Sequence, residues 1–289
     1  SWNTGGTAAL ETGLGAGTYY VTVTDGNGCT DSSSVILIEP TAITASISSQ
    51  TNVYCNGNTT GAATAAGSGG TAGYTYIWSN GGTAVTASNL GAGTYYVTVT
   101  DGNGCTDSSS VIVTEPAAFG ATITSQTNVL CNGSSTGSAT AQGSGGNGNY
   151  FYSWSSNTGF QTNATATGLV QGTYTVSVTD NSGCSSVAAG TTTVTITESL
   201  ALVSSASVTT VISCNGDANG EVTASQSGGT SSYTHSWNTG GTAALETGLG
   251  AGTYYVTVTD GNGCTDSSSV ILIEPIALTA TISSQTNVD

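Results

Sequence analysis

An octapeptide, Thr-Asp-Gly-Asn-Gly-Cys-Thr-Asp, stands at 24–31, 100–107 and 259–266, and a diverged copy, Thr179-Asp180-Asn181-Ser182-Gly183-Cys184, fills the gap. Its cysteines, Cys29, Cys105, Cys184 and Cys264, recur at near-constant spacing, and a second set, each opening Cys-Asn-Gly, falls at Cys55, Cys131 and Cys214. A fixed internal period constrains the architecture before any local assignment, because each period has to be one structural unit that its neighbours resemble. One period is about 80 residues, enough for a small domain with its own core. Residues 1–40 are identical to 236–275, which adds a superperiod of three repeats. We read repeats at 41–116, 117–199 and 200–275, with 1–40 the C-terminal part of a repeat and 276–289 the first strand of the next. The chain starts inside one repeat and stops inside another, so the expectation is a window on a much longer protein. The alternative is that half-domains complete each other between subunits by strand addition.

Within 41–116 apolar residues alternate with period two and are interrupted by Gly, Asn and Asp, the pattern of half-buried strands and turns. Strands are predicted at 43–53 (A), 61–67 (B), 74–78 (C), 85–90 (E), 94–100 (F) and 111–114 (G), with a short D at 81–84 if the sandwich has seven; no helix is predicted. Along F, Tyr95, Val97 and Val99 point one way and Tyr96, Thr98 and Thr100 the other. In 117–199 Tyr96 becomes Thr175 while Tyr174, Val176 and Val178 stay apolar, which identifies the core face. Leu90-Gly-Ala-Gly-Thr-Tyr95 is similar to the tyrosine corner of immunoglobulin-like sandwiches, so Tyr19, Tyr95, Tyr174 and Tyr254 are expected at the E–F corner. Trp2, Trp78, Trp154 and Trp237 occupy one repeat position, that of a central core aromatic. The fold class is therefore all-β, tandem immunoglobulin-like sandwiches joined as a rod or filament.

Composition narrows the partners. The chain has no Lys or Arg, 16 acidic residues and one His, a formal net charge of -16. It cannot displace phosphate counterions or bind an anionic lipid surface through cationic side chains, so nucleic-acid partners and direct membrane insertion are not expected. The longest apolar run, 35–38, is too short to span a bilayer. Stability has to come from apolar burial and hydrogen bonds.

The order Cys55-Asn-Gly, Gly69-Gly70, Tyr74-Thr-Tyr76-Ile-Trp78-Ser-Asn-Gly81, Leu90-Gly-Ala-Gly-Thr-Tyr95, Asp101-Gly-Asn-Gly-Cys105 and Glu115-Pro116 resembles the SprB-type repeat of gliding and cell-surface adhesins of the Bacteroidota. The resemblance implies a cell-surface filament exported by type IX secretion and used in adhesion or gliding. The repeat at 117–199 departs from it with an insert around 147–150, Asn181-Ser182 in place of Gly-Asn, and Glu198-Ser199 in place of Glu-Pro.

Seven regularly placed cysteines in a chain of extracellular character imply disulfides. Within repeats the natural pairs are Cys55–Cys105, Cys131–Cys184 and Cys214–Cys264, leaving Cys29 to a partner upstream. Seven strands would put the A–B and F–G corners at opposite ends of a repeat and favour clamps between repeats, Cys55–Cys184 and Cys131–Cys264. Six strands would bring both corners to one end and permit the intradomain bonds. The clamps are slightly preferred.

No catalytic residues are expected: His235 is the only His, no Cys-x-x-Cys spacing exists, and Glu11, Glu39, Glu115 and Glu246 lack a partner carboxylate. Asp25, Asn27 and Asp31, with Asp101, Asn103 and Asp107, are the candidate calcium ligands, since closely spaced hard oxygens suit that ion. The preferred reading of Asp-Gly and Asn-Gly there is a hairpin turn needing positive φ, so no cofactor is assigned. Asn58, Asn132 and Asn163 head glycosylation sequons, and Glu-Pro at 39–40, 115–116 and 274–275 reads as junction stiffening.

The function expected is a non-catalytic structural region of a giant extracellular adhesin, partnered by neighbouring repeats of the same long chain or by identical filament chains at the cell surface. The alternative is an array of carbohydrate- or surface-binding modules with Tyr20, Tyr96 and Tyr255 on an exposed face.

Overall fold

A computed structural model describes residues 1–185 and 192–286 and divides the chain into two compact units, Ser1–Ala118 and Phe119–Asp289. In the first unit a hairpin of β1 (Gly17–Thr24) and β2 (Thr30–Leu37) precedes a complete repeat: β3 (Thr44–Thr51), β4 (Gly61–Ser68), β5 (Thr75–Trp78), β6 (Thr86–Leu90), β7 (Gly93–Thr100) and β8 (Thr106–Val113). The next repeat opens with β9 (Ala117–Thr127) and continues in β10 (Gly137–Gly146), β11 (Phe151–Trp154), β12 (Thr165–Leu169), β13 (Gly172–Thr179) and β14 (Thr192–Ile196). The last repeat holds β15 (Val203–Thr210), β16 (Gly220–Ser227), β17 (Thr234–Trp237), β18 (Leu245–Leu249), β19 (Gly252–Thr259) and β20 (Thr265–Leu272). The protein is all-β, with one 3-10 turn at Ser156–Thr158 among the described residues. No helix there is long and apolar enough to cross a membrane.

Each complete repeat is a sandwich of two three-stranded antiparallel sheets, A-B-E facing C-F-G; in 41–116 these are β3-β4-β6 and β5-β7-β8. Each has its own core. Around Trp78, 1% exposed, pack Ala63, Ala65, Leu90, Val97, Val99 and Val113. The matching clusters of the other repeats are built on Trp154 and Trp237. The indole N–H of Trp78 donates to the Ala84 carbonyl, that of Trp237 to Ala243 and that of Trp2 to Ala8, each at 2.9 Å, so a large apolar side chain is buried without orphaning its one polar atom. Trp2 itself is only half-buried in the partial repeat. The tyrosine corner closes in all four copies: Tyr19, Tyr95, Tyr174 and Tyr254 donate to the carbonyl four residues earlier, at 2.8–3.2 Å.

Four expectations are corrected. No D strand forms: 81–84 is a turn that returns the chain to Trp78, whose N–H donates to the Gly82 carbonyl. Six strands nevertheless leave the ends of the repeat at opposite poles, because β5 covers half of β7 and β6 half of β4, so together they make one traverse. The Ala45 N–H donates to Asp107 at the start of β3, and the Thr114 N–H to Asn52 at its end, so β3 and β8 run side by side in the same direction. The loop holding Cys55 and the loop holding Cys105 are therefore separated by the length of a full strand such as β8, about 26 Å, beyond the reach of a disulfide.

Strand G starts at Thr106 rather than at residue 111. The extra residues in the repeat at 117–199 are not at 147–150, where the loop has its usual length; four lie between Cys184 and Glu198 and three after Trp154. There the 3-10 turn lets the indole N–H reach Asn163, nine positions on, where the other repeats use six.

Candidate functional site

The chemistry-bearing residues gather at the two poles of each repeat. At the entry pole, Asp101 fastens two loops. Its Oδ1 accepts the N–H groups of Asn103 and Cys105 at 2.9 and 2.8 Å, and its Oδ2 accepts the N–H of Thr71 at 2.9 Å. Asp180 repeats the arrangement with Ser182, Cys184 and Asn147, and Asp260 with Asn262, Cys264 and Thr230. The cause is local: an Asp before a Gly-rich turn can fold its carboxylate back onto the amides two and four residues ahead.

These carboxyls lie below their ordinary value because hydrogen bonds favour the charged form. The Thr71 N–H is the main cause for Asp101 and the Thr230 N–H for Asp260. For Asp180, burial acts to raise the value and the bonds from Asn147, Cys184 and Ser182 outweigh it. Asp107 is lowered by the Ala45 N–H. In the partial repeat, Asp25 accepts from Asn27 and Cys29, and Asp31 from Ser32. The oxygens of the candidate calcium ligands Asp101 and Asp107 are thus engaged with backbone amides, and Asn103 donates its side-chain amide to Thr71. Among the described residues no cluster of three His, Cys, Asp or Glu side chains is placed to hold a metal.

Asn181-Ser182 exchanges partners with its counterpart. Elsewhere the amide of Asn103 or Asn262 meets the hydroxyl of Thr71 or Thr230; in the repeat at 117–199 Asn147 supplies the amide and Ser182 the hydroxyl, at 2.7 Å. One hydrogen bond survives with its ends reversed.

At the exit pole, Cys-Asn-Gly grips the departing chain. The Gly57 N–H donates to Glu115 at 2.6 Å and the Asn56 amide to the Pro116 carbonyl at 3.1 Å. Gly216 and Asn215 hold Glu274 and Pro275 in the same way, and Gly133 and Asn132 hold Glu198 and the carbonyl of Ser199. The grip needs the Glu and the next carbonyl, not the proline ring, which is how the repeat at 117–199 dispenses with Pro. Asn132, read as a sequon, has its amide engaged at the junction, while Asn58 and Asn163 are exposed in loops.

Within the second unit the two poles meet. Cys131 is bonded to Cys264, with Cα atoms 5.5 Å apart and a sequence separation of 133; neither therefore closes an intradomain pair with Cys184 or Cys214. The side-chain amide of Asn262 donates to the Leu130 carbonyl at 3.3 Å beside this bond. On the linker the Leu200 carbonyl accepts the Gly229 N–H at 2.9 Å, and at the start of β15 the Ser204 N–H donates to Asp266 at 2.6 Å. Gly228 has φ +68, and a Cβ there would strike the Ala201 carbonyl. The linker is held from both sides by side chains and amides of the repeats it joins. Cys29, Cys105 and Cys214 are free and exposed. Cys55 is half-buried in the exit loop of its repeat, and Cys184 is 6% exposed in the entry loop of its own.

Sequence reasoning missed the grip of Asn56, Asn132 and Asn215 on the outgoing chain. Its signal was available: every Cys-Asn-Gly is followed, at the close of the same repeat, by a Glu, with Glu115 answering Cys55, Glu198 answering Cys131 and Glu274 answering Cys214.

Comparison with known proteins agrees at the level of the repeat. The SprB repeat family model matches residues 47–83, 123–159 and 206–242, each running from strand A to the turn after strand C. No curated protein matches the chain. Among solved structures, a 1.5-MDa bacterial ice-binding adhesin is similar at 17% identity, over 82% of this chain and 99% of that one, with TM-score 0.39. Three N-terminal domains of the bacteriophage RB49 outer capsid protein Hoc are similar at 12% identity, over 80% and 96%, with TM-score 0.36. The eight N-terminal Ig domains of Down syndrome cell adhesion molecule are similar at 13% identity, over 92% and 41%, with TM-score 0.23. Identities and scores this low say nothing of what the chain does. The three family matches fall at the same place in three successive sandwiches, and the chain carries SprB-type repeats.

Proposed function

We propose that this chain is a non-catalytic, load-bearing stretch of a giant adhesin displayed outside the cell, a stalk used for attachment or gliding. The repeats at 41–116, 117–199 and 200–275 are its modules, and their partners are neighbouring repeats of the same long chain or identical chains in a filament. The observation that carries this reading is the junction in the second unit, where a disulfide and hydrogen bonds from both repeats hold one short linker. A ligand-binding site does not need such a joint; a stalk that must keep its direction does. Disulfides and SprB-type repeats support an extracellular location, and the family resemblance supports type IX export in a member of the Bacteroidota. Deleting the repeat block from the producing strain tests the reading: attachment or gliding is expected to fail while protein carrying the remaining domains still reaches the surface, and unchanged attachment would overturn it.

A second reading rests on one observation. Tyr20, Tyr96 and Tyr255 are 53%, 59% and 57% exposed on strand F, on the outer face of the C-F-G sheet. An exposed aromatic recurring in three of four copies suits stacking on surface sugars. Glycan-array binding lost on Tyr96→Ala would favour this alternative, and absence of binding by the parent chain would remove it.

A further inference from the structure

Cys131 follows β9, the first strand of its repeat, and Cys264 precedes β20, the last strand of the next. All the intervening strands, β10 to β19, therefore lie inside one covalent loop. Without the bond, tension on the chain passes through every residue in series, and a repeat that unfolds releases its whole length. With the bond, tension that reaches Cys131 through β9 crosses 5.5 Å between Cα atoms and leaves through β20. The loop hangs in parallel with a link that does not lengthen.

We propose that the Cys131–Cys264 bond is a mechanical shunt that caps the extension of the fibre and shields β10 to β13 and β16 to β19 from load. The proposal rests on the stalk reading and adds what the junction does under force. It generalises through the order of the cysteines. Each repeat carries its exit-pole cysteine before its entry-pole cysteine, so loops closed by the same rule overlap: Cys131 precedes Cys184, and Cys214 precedes Cys264. With every junction closed, tension runs in two alternating lanes of G strand, linker and A strand. One lane exposes only the stretch from Cys105 to Cys131, and the other only that from Cys184 to Cys214. Unfolding a sandwich then adds little length, because its B, C, E and F strands are outside the loaded path.

The two poles are built to match. The loaded strands are the ones tied laterally at the poles. The Val129 N–H, just past β9, donates to Thr197, and the Ser204 N–H donates to Asp266 of β20. Hydrogen bonds of this kind resist shear along the strand direction, the direction in which the shunt loads them.

The test is extension of the full 289-residue chain between handles at its two ends, before and after dithiothreitol. The dithiol reduces the cystine to two thiols and is itself oxidised to a cyclic disulfide. The oxidised chain is expected to stop at a contour length at least roughly 450 Å shorter than the reduced one, the length of a loop with sequence separation 133 at about 3.4 Å per residue. The double variant Cys55→Ala, Cys131→Ala is expected to reach the full length without reductant. Equal final lengths for oxidised and reduced wild type, or a double variant that stays short, would overturn the shunt. Either result leaves the stalk reading to be judged by attachment of the deletion strain, so the two fail separately.

Discussion

The side-chain amide of Asn132 donates to the carbonyl of Ser199, 67 residues further along the chain, at 3.2 Å. The donor belongs to the loop that also carries Cys131, so the segment that makes the covalent link to the next repeat also grips the linker leading there. Asn132→Ala is expected to cost about 1 kcal/mol, the net worth of one hydrogen bond, and to loosen the junction without unfolding either sandwich. Urea unfolding with fluorescence of the buried Trp154 and Trp237 measures the first. Hydrogen exchange of the Gly229 amide, which donates to the linker, measures the second.

The Asp101, Asp180 and Asp260 carboxyls set an acid limit. Their folded values lie below the ordinary 3.8, so between the folded and unfolded values the unfolded chain binds more protons, and stability rises with pH there. The contribution is fully present above about pH 4 and is lost as pH falls through the lowered values. Thermal melts from about pH 2 to 6 are expected to show this fall, and Asp101→Asn is expected to flatten it. A slope unchanged in that variant would assign the acid limit elsewhere.

Gly228 and Gly240 have similar backbones and different surroundings. Both have positive φ, +68 and +90, but a Cβ at Gly240 meets nothing within 4 Å, whereas one at Gly228 meets the linker carbonyl of Ala201. Gly240→Ala is expected to cost only the left-handed backbone term, about 1 kcal/mol. Gly228→Ala is expected to cost about 2–3 kcal/mol, since the linker has to move as well. Chemical denaturation of the two variants side by side separates these contributions.

Asn147 and Ser182 hold each other in the orientation opposite to Thr71 and Asn103. Asn147→Thr and Ser182→Asn are each expected to cost about 0.5–1.5 kcal/mol, and the double variant, which recreates the arrangement of the other repeats, is expected to recover most of it. A double-mutant cycle with no coupling would show that the two side chains act independently.

Much of the sandwich was legible because its inward positions are apolar at every second residue: β7 announces itself through Tyr95, Val97 and Val99. Strand G was legible only in its second half. The inward positions opposite Val99 and Val97 are Asp107 and Ser109, half-buried yet polar, so burial alternates where hydropathy does not. Asp107 sits there because the Ala45 N–H across the sandwich needs an acceptor. Strand parity was misjudged for a related reason: counting strands assumes that each crosses the whole sheet, and β5 and β6 each cross half. The junction was the least legible part. Asn in Cys-Asn-Gly looks like a turn residue or a sequon until its partner, at the far end of the repeat in sequence, is known to lie beside it.

Because two half-length strands share a single crossing, every sandwich admits the polypeptide at one pole and releases it at the other, heading the same way. Adding or removing a module by recombination therefore preserves the direction of travel, and the next pair of poles arrives already matched. The stretch 1–40, found again unchanged at 236–275, is what such copying leaves behind. Reach can then be adjusted by altering copy number alone, with no new joint to invent.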